Sequence, residues 1–213
     1  MRNLKIGILA DGGDAGGGRR HILTLCENLP SENMSVCFFS LGEGALSHSI
    51  ELLPNVPMET HCLSSKLDRT LPKIILAWAK RENIDILHTH GLKANMYGRL
   101  ALRKSNIPII TTYHSNPLYD YSSPIMGLFF SVIDQITLSM SSEYIGVSYE
   151  VATQLIRRGV QRNSISIVKN GVPVMNNDFD KLSIEHRDKI RSKYSIPKDA
   201  FVVGSLGRLV PVK

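Results

Sequence analysis

The sequence predicts an α/β fold built on a doubly wound, Rossmann-like parallel sheet with helices on both faces. Short apolar runs rich in β-branched residues alternate with longer segments of helical periodicity, and a glycine cluster directly follows the first run. Parallel strands are buried on both faces and joined by helical crossovers, which produces this alternation. With 43% hydrophobic and 21% charged residues, the composition is that of a globular protein.

Seven apolar runs are predicted as strands, at residues 4–10, 34–41, 58–62, 85–90, 107–113, 143–148 and 164–168. Five helices are predicted between them, at residues 18–29, 70–82, 92–104, 124–140 and 149–158. The last helix has the best-defined ends. Ser148 is a good N-cap residue, Glu150 lies in the first turn, and Gly159 follows the last turn.

The alternating pattern stops after the seventh run. Asn170 and Gly171 favour a turn, and Pro173 disfavours another central strand. We therefore predict a first domain over residues 1–175. Residues 176–213 are predicted to be a linker and the truncated start of a second domain.

Most of the net charge lies near the end of the chain. The formal charge is +6, and residues 181–213 contribute +5 of it through eight basic and three acidic residues. In that segment a basic helix is predicted around 184–194 and a strand at 201–206. Because a nucleic-acid-binding face needs basic residues clustered on the body of a domain, we expect no nucleic-acid partner.

Cysteine use and the lengths of the apolar stretches favour a cytoplasmic protein. The cysteines Cys26, Cys37 and Cys62 form no C-x-x-C pair, and the first two lie in apolar stretches. The apolar run at residues 4–10 is too short for a signal peptide. Residues 125–140 are interrupted by polar side chains and fall short of the ~20 residues that cross a bilayer. We expect no membrane-spanning segment.

The glycine cluster is the first candidate binding element. It comprises Gly12, Gly13, Gly16, Gly17 and Gly18, between the first predicted strand and the first helix. Glycines let the backbone approach a ligand closely, and the positive end of a helix attracts phosphate. The spacing does not match the G-x-G-x-x-G of dinucleotide-binding domains, although Glu43 follows the second strand where a ribose-binding acid would lie.

Three histidines lie at the ends of two predicted strands. His88 and His90 are two residues apart and so share one face, and His114 follows the next strand. Ligands bind at the carboxyl edge of open α/β sheets, so we expect site roles for His90 and His114 and a core position for His88. No carboxylate or cysteine at ligand spacing joins them, which disfavours a metal site.

Arg208 and Lys213 follow the predicted strand at 201–206. An arginine fork and a lysine charge at the mouth of a strand suit a pyrophosphate, and they would neutralise a leaving group without Mg²⁺.

Six segments in order resemble the retaining GT-B glycosyltransferases of family 4, also called glycosyl transferases group 1. The run Gly16–His21 resembles that family's G-G-A-x-R-H entry to its first helix. The other five segments are D-I-L-H-T-H (85–90), T-Y-H-S (112–115), I-G-V-S (145–148), V-K-N-G-V (168–172) and G-R-L-V-P-V-K (207–213). The chain departs from the family at Pro173, where an aspartate is usual.

The resemblance implies a glycosyltransferase in polysaccharide, glycolipid or glycoconjugate synthesis of a bacterial type, with two Rossmann-like domains facing a cleft. Its partners would be a nucleotide-sugar donor, a saccharide or lipid-linked acceptor, and a second, missing C-terminal domain. It would be cytoplasmic, with peripheral contact at the inner face of the membrane, and would use no metal or other cofactor. The family's E-x7-E donor-binding segment would lie beyond Lys213, so the chain alone is expected to be inactive.

The resemblance also implies residue roles. His114 would contact the transferred sugar at the reaction centre. His90 and Arg20 would bind the acceptor or the sugar. The remaining residues would bind the donor's diphosphate: Gly16, Gly17, Arg208 and Lys213.

Two alternatives come from other classes of protein. A nicotinamide-dependent oxidoreductase is favoured by the glycine cluster and Glu43, but the glycine spacing departs from the dinucleotide-binding pattern. A non-catalytic α/β binding module is favoured by the chain's ending before a full active site.

Overall fold

A seven-stranded parallel sheet in the order β3-β2-β1-β4-β5-β6-β7 forms the centre of the protein. In this computed structural model, residues 3–13, 17–63, 67–115, 124–171 and 179–204 are described. The strands are β1 (Leu4–Ala10), β2 (Met34–Ser40), β3 (Met58–Thr60), β4 (Ile86–His90), β5 (Ile109–Tyr113), β6 (Glu143–Gly146) and β7 (Ile165–Ile167). The predicted fold class is confirmed, and every strand of the sheet lies within a predicted one.

The helices are α1 (Gly17–Asn28), α2 (Ala45–Glu51), α3 (Leu71–Arg81), α4 (Leu92–Leu102), α5 (Pro124–Thr137), α6 (Tyr149–Arg157) and α7 (Phe179–Lys193). The predicted ends of α6 are confirmed. The Ser148 side chain accepts a hydrogen bond from the Val151 amide at 3.2 Å. Gly159 follows the helix with a φ of 94°, in the left-handed region that favours glycine.

Helix α2 was not predicted from the sequence, because its N-terminus is capped from a distant part of the chain. The carbonyl of Gly12 accepts hydrogen bonds from the amides of Leu46 and Ser47, at 2.9 and 3.3 Å. These bonds satisfy amides that a local side chain would otherwise cap. The seven-residue sequence of α2 contains no sign that a carbonyl more than 30 residues away caps the helix.

The predicted strand at 201–206 is wrong over its described part. Residues 201–204 have no regular secondary structure, and Phe201 and Val203 are 93% and 84% exposed. A strand needs a neighbour for its backbone groups, and within the described ranges none pairs with this segment. Residues 205 and 206 lie outside the described residues.

The chain divides into two compact units, Met1–Gly171 and Val172–Lys213. The predicted boundary between residues 175 and 176 lies outside the described residues and stays a prediction. The basic helix predicted around 184–194 is present as α7, which begins earlier. No helix within the described ranges is long and apolar enough to cross a membrane.

The hydrophobic core lies on both faces of the sheet. Trp78 of α3 packs edge-on against Phe39 of β2, with ring centroids 5.2 Å apart, in the larger of the clusters. Cys26 and Cys37 belong to the buried interior as expected, and burial raises the pKa of each thiol to about 12. Both therefore pack as small apolar side chains and stay protonated at neutral pH.

Strand β1 lies at the point where the chain reverses direction across the sheet. It pairs with β2 on one side and with β4 on the other, so the connections leaving β1 and β4 diverge there. This leaves a crevice at the carboxyl edge of the two strands, the usual ligand-binding position in open α/β sheets.

Candidate functional site

The register of the sheet brings the predicted strand-end histidines to this crevice. Ala10 at the end of β1 lies opposite His90 at the end of β4, and His90 lies opposite Thr112 in β5. His114 directly follows Tyr113, the last residue of β5. The sequence-based placement of His90 and His114 at one edge is therefore confirmed.

Four histidine rings form a cluster at this edge: His21, His88, His90 and His114. His21, on α1, lies 5.7 Å from the His90 ring and 5.0 Å from the His114 ring, between centroids. The His88 and His90 rings are 4.2 Å apart, and the His90 and His114 rings are 5.4 Å apart with planes 25° from parallel. The cluster thus joins α1 to two strands of the sheet.

Hydrogen bonds fix the rings on the two strands. Nε2 of His88 lies 2.7 Å from the Thr112 hydroxyl, so His88 is the satisfied core histidine that the sequence suggested. Nδ1 of His90 lies 3.2 Å from Nε2 of His114. The other ring nitrogens of this pair, Nε2 of His90 and Nδ1 of His114, are buried and have no hydrogen-bond partner within the described ranges.

All four rings are neutral at physiological pH. Burial lowers the pKa of His88 to about 3, that of His114 to about 4, and that of His90 well below its usual value. Burial also lowers the pKa of His21, against the opposing effect of a hydrogen bond with Asn170. Neutral imidazoles donate one hydrogen bond and accept another, which suits sugar hydroxyls better than a diphosphate.

The first two glycines of the cluster have a packing role. A Cβ on Gly12 would lie 2.0 Å from the carbonyl oxygen of Gly42, so only glycine fits against the loop after β2. The Gly13 amide donates to Asp11 Oδ1 at 3.0 Å, and Lys93 of α4 donates to Asp11 Oδ2 at 3.2 Å. The turn is therefore stabilised by hydrogen bonds to Asp11 and needs no bound ligand to hold it.

Gly17, in contrast, has open space beside it. It is the first residue of α1, and the nearest neighbour of a Cβ built there would be Nδ2 of Asn170, 3.9 Å away. Arg20 is exposed on α1, and the next residue, His21, contacts the histidine rings instead. Gly16 lies outside the described residues.

Arg208 and Lys213 also lie outside the described residues. The ligand-binding roles of all seven predicted residues therefore stay predictions: His114, His90, Arg20, Gly16, Gly17, Arg208 and Lys213. Within the described ranges, no group of three or more histidine, cysteine, aspartate or glutamate side chains has a geometry that could hold a metal ion.

Two residues of the site were missed in the sequence. His21 ends the glycine-containing run that resembles the family motif, but its direction depends on how α1 is rotated against the sheet. Asn170 lies beyond β7, and its side chain reaches both His21 and the start of α1. Both residues lie inside segments that resemble the family's motifs. That resemblance is the feature of the sequence from which their role in the site could have been predicted.

A buried ionic network holds the strand that carries His114. Tyr113 donates from its hydroxyl to Asp134 Oδ2 at 2.7 Å, and Arg99 donates from Nη1 to Asp134 Oδ1 at 2.6 Å. Arg158 donates to Asp134 Oδ2 at 2.7 Å. The Arg99 and Asp134 side chains are completely buried, so α4, α5 and α6 are tied to the residue before His114. In the sequence, Asp134 is one of the polar side chains that interrupt the apolar stretch at residues 125–140.

Comparison with known proteins identifies relatives across most of the chain. The sequence model named Glycosyltransferase Family 4 matches residues 15–175. An Escherichia coli UDP-Gal:alpha-D-GlcNAc-diphosphoundecaprenol alpha-1,3-galactosyltransferase is 24% identical over 92% of this chain and 51% of its own length. A D-inositol 3-phosphate glycosyltransferase of Streptomyces scabiei is 25% identical, over 94% of this chain and 49% of its own.

Solved structures share the fold. A glycosyltransferase from Rickettsia africae superposes with a TM-score of 0.69 at 20% identity, over 93% of this chain and 51% of that protein. The Anabaena protein HepE, solved in complex with UDP, gives a TM-score of 0.65 at 18% identity, over 86% and 50%. The chain spans about half the length of the curated relatives it matches.

Proposed function

Because the chain belongs to Glycosyltransferase Family 4, we propose that it is the acceptor-side domain of a retaining glycosyltransferase. The complete enzyme moves a sugar from a nucleotide-sugar donor to a saccharide or lipid-linked acceptor. The observation that carries this proposal is the cluster of neutral histidines at the crevice beside β1 and β4. Neither a nicotinamide-dependent oxidoreductase nor a non-catalytic module is favoured by the relatives.

The site divides the chemical work between neutral and charged groups. His114 hydrogen-bonds the transferred sugar and Arg20 binds the acceptor or the sugar. His90, which is 1% exposed, contributes through its contact with His114. The start of α1, with Gly16 and Gly17, approaches the diphosphate, where backbone amides favour negative charge. Arg208 and Lys213, assigned to a second domain, bind the donor's diphosphate. Because they supply positive charge to it, no divalent cation is needed.

The donor is a UDP-linked sugar. Two observations on similar proteins support this choice: the name of the Escherichia coli relative specifies UDP-Gal, and HepE has been solved with UDP and with UDP-glucose. Which sugar is carried depends on the second domain.

A direct test is to measure sugar transfer by a version of the protein that contains a complete second domain. We expect transfer from a UDP-sugar that persists in EDTA, and no turnover by the 213-residue chain alone. The isolated chain lacks the positioning that a closed site provides. Loss of transfer in EDTA that Mg²⁺ restores would contradict metal independence.

A thermal-shift measurement tests the alternative function. Thermal stabilisation by NADH, without response to UDP-sugars or GDP-sugars, would support the oxidoreductase instead.

An exposed apolar stripe on α5 supports a lipid-linked acceptor and peripheral contact with the cytoplasmic face of a membrane. The stripe follows helical spacing and consists of Ile125, Leu128, Phe129, Val132 and Ile136. Exposed basic residues lie where α4 and α6 end, on either side of α5: Arg103, Lys104, Arg157 and Arg162. These three helices follow successive parallel strands, and Gln135 of α5 bonds Arg158 after α6, so their ends are neighbours. Apolar side chains flanked by cations suit an anionic lipid surface.

We expect the double substitution Leu128→Ser with Val132→Ser to weaken binding to anionic vesicles by about 10-fold to 100-fold, since each insertion contributes on the order of 1 kcal/mol. Co-sedimentation with phosphatidylglycerol-containing vesicles measures this. Leu52→Ser is the matched control, because Leu52 is an exposed leucine that follows α2, away from the stripe. Unchanged binding of the double variant would exclude the stripe as the lipid surface, and loss of self-association instead would identify a second copy as its occupant.

A further inference from the structure

The contact between His90 and His114 restricts where both rings carry their protons. The two nitrogens are 3.2 Å apart in a partly buried contact, so one must donate and the other accept. A neutral imidazole has one N–H, which leaves its second nitrogen as an acceptor. Both rings are neutral, as shown above, so each has a single proton to place.

Only two arrangements satisfy this contact. If His90 donates from Nδ1, then His114 accepts at Nε2 and must carry its own proton on Nδ1. If His114 donates from Nε2, then His90 accepts at Nδ1 and carries its proton on Nε2. In the first arrangement both rings are protonated on Nδ1, and in the second both are protonated on Nε2. Mixed arrangements bring either two protons or two lone pairs together.

We propose that His90 is a positioning residue whose tautomer, matched to that of His114 through their hydrogen bond, decides whether Nδ1 of His114 is a donor or an acceptor. Within the described ranges no other group bonds Nε2 of His90 or Nδ1 of His114. No described group therefore fixes either arrangement. In going from Nδ1 to Nε2, one proton crosses the His90–His114 contact, one leaves Nδ1 of His114 for water, and water supplies one to Nε2 of His90. His90 itself is 1% exposed, so it acts through its neighbour.

The consequence for a bound ligand rests on the proposed function. An oxygen that only accepts, such as a carbonyl or ring oxygen, selects the arrangement with both protons on Nδ1. A hydroxyl that donates to His114 selects the arrangement with both protons on Nε2. Nδ1 of His114 can thus present either a donor or an acceptor to a sugar oxygen, and the buried His90 ring adjusts in step.

Histidine tautomers can be measured in the 213-residue chain itself, independently of any activity. Long-range ¹H–¹⁵N correlation spectra of protein with ¹⁵N-labelled histidine distinguish Nδ1–H, Nε2–H and charged rings. We expect His90 and His114 to be neutral near pH 7 and to show the same tautomer or the same ratio of tautomers. Opposite tautomers, or a charged ring in either position, would overturn the proposal.

Substitutions assign the signals and separate coupling from simple packing. His90→Phe should release His114 to the tautomer mixture of a free imidazole, whereas the exposed control His48→Asn should leave both signals unchanged. His90→Asn keeps a polar group near Nδ1 and guards against a variant that fails to fold. In a version with a complete second domain, His90→Phe should lower kcat on the order of tenfold with little change in donor KM, and His90→Asn should recover part of the loss. Unchanged tautomers of His114 in both His90 variants would show that the ring is set by something else.

Discussion

Asp134→Ala is expected to lower the free energy of unfolding by about 3–5 kcal/mol, the usual cost of removing one partner from a buried ion pair. The Asp134 carboxylate faces Arg99 and Arg158, and it also accepts a hydrogen bond from Tyr113. Its loss leaves the completely buried Arg99 guanidinium without its countercharge. Burying an unpaired charge costs more than the lost contacts, so the whole unit around β5 should weaken.

Urea unfolding of the 213-residue chain, followed by circular dichroism, measures this change. Glu59→Ala is the matched control, because Glu59 pairs with Arg81 at the surface, where an ion pair contributes about 0–1 kcal/mol. Asp134→Asn should fall between the two, since it keeps the shape but not the charge. A loss in Asp134→Ala no larger than that in the control would show that the network does not stabilise the fold.

His114→Ala is expected to reduce kcat by about 10²-fold to 10³-fold in a version of the enzyme with a complete second domain. His114 lies at the carboxyl edge of a buried strand, held by its bond to His90 and by the network behind Tyr113. A hydrogen bond to the sugar that tightens as the oxocarbenium-like transition state develops lowers the barrier rather than only aiding binding. Losing one such bond costs on the order of 2–4 kcal/mol.

The assay must separate catalysis from folding. The kcat of the variant is normalised to folded protein, and its melting temperature is measured beside that of His48→Ala, an exposed histidine on α2. His114→Asn, which keeps a polar group near Nδ1, should retain more activity than His114→Ala. If His114 only stabilises the loop that follows it, His114→Ala will melt earlier while its normalised kcat stays normal.

Local sequence was sufficient to predict the strands, because a parallel strand that is buried on both faces is itself a continuous apolar run rich in β-branched residues. β1 coincides with its predicted range, and the other strands end within two residues of theirs on at least one side. The residues 201–204 show the limit of this reasoning. An apolar, β-branched run forms a strand only where another strand accepts its backbone bonds, and the described ranges offer it none.

The same distinction explains which site residues were predictable. The positions of His90 and His114 were predictable because each lies at the carboxyl end of a predicted strand. The carboxyl ends of parallel strands lie at the same edge of a sheet. His21 depends on the rotation of α1, and Asn170 on the path of a loop, which periodicity does not encode. In the sequence, Asp134 only interrupts an apolar helical stretch. In the structure its carboxylate pairs with Arg99 of α4 and with Arg158, which follows α6.

The position of β1 in the sheet has a consequence for the nascent chain on the ribosome. β1 is synthesised before both of its neighbours and can pair with β2 once about 30 more residues exist, but its other neighbour, β4, begins 80 residues after the paired position Ile6. At about 5–20 residues per second, one edge of β1 waits about 4–16 seconds for its partner. Long-range parallel pairing of this kind is slow and exposes apolar edges to aggregation. The histidine crevice, which needs that same edge, can therefore form only after β4 and β5 have been synthesised.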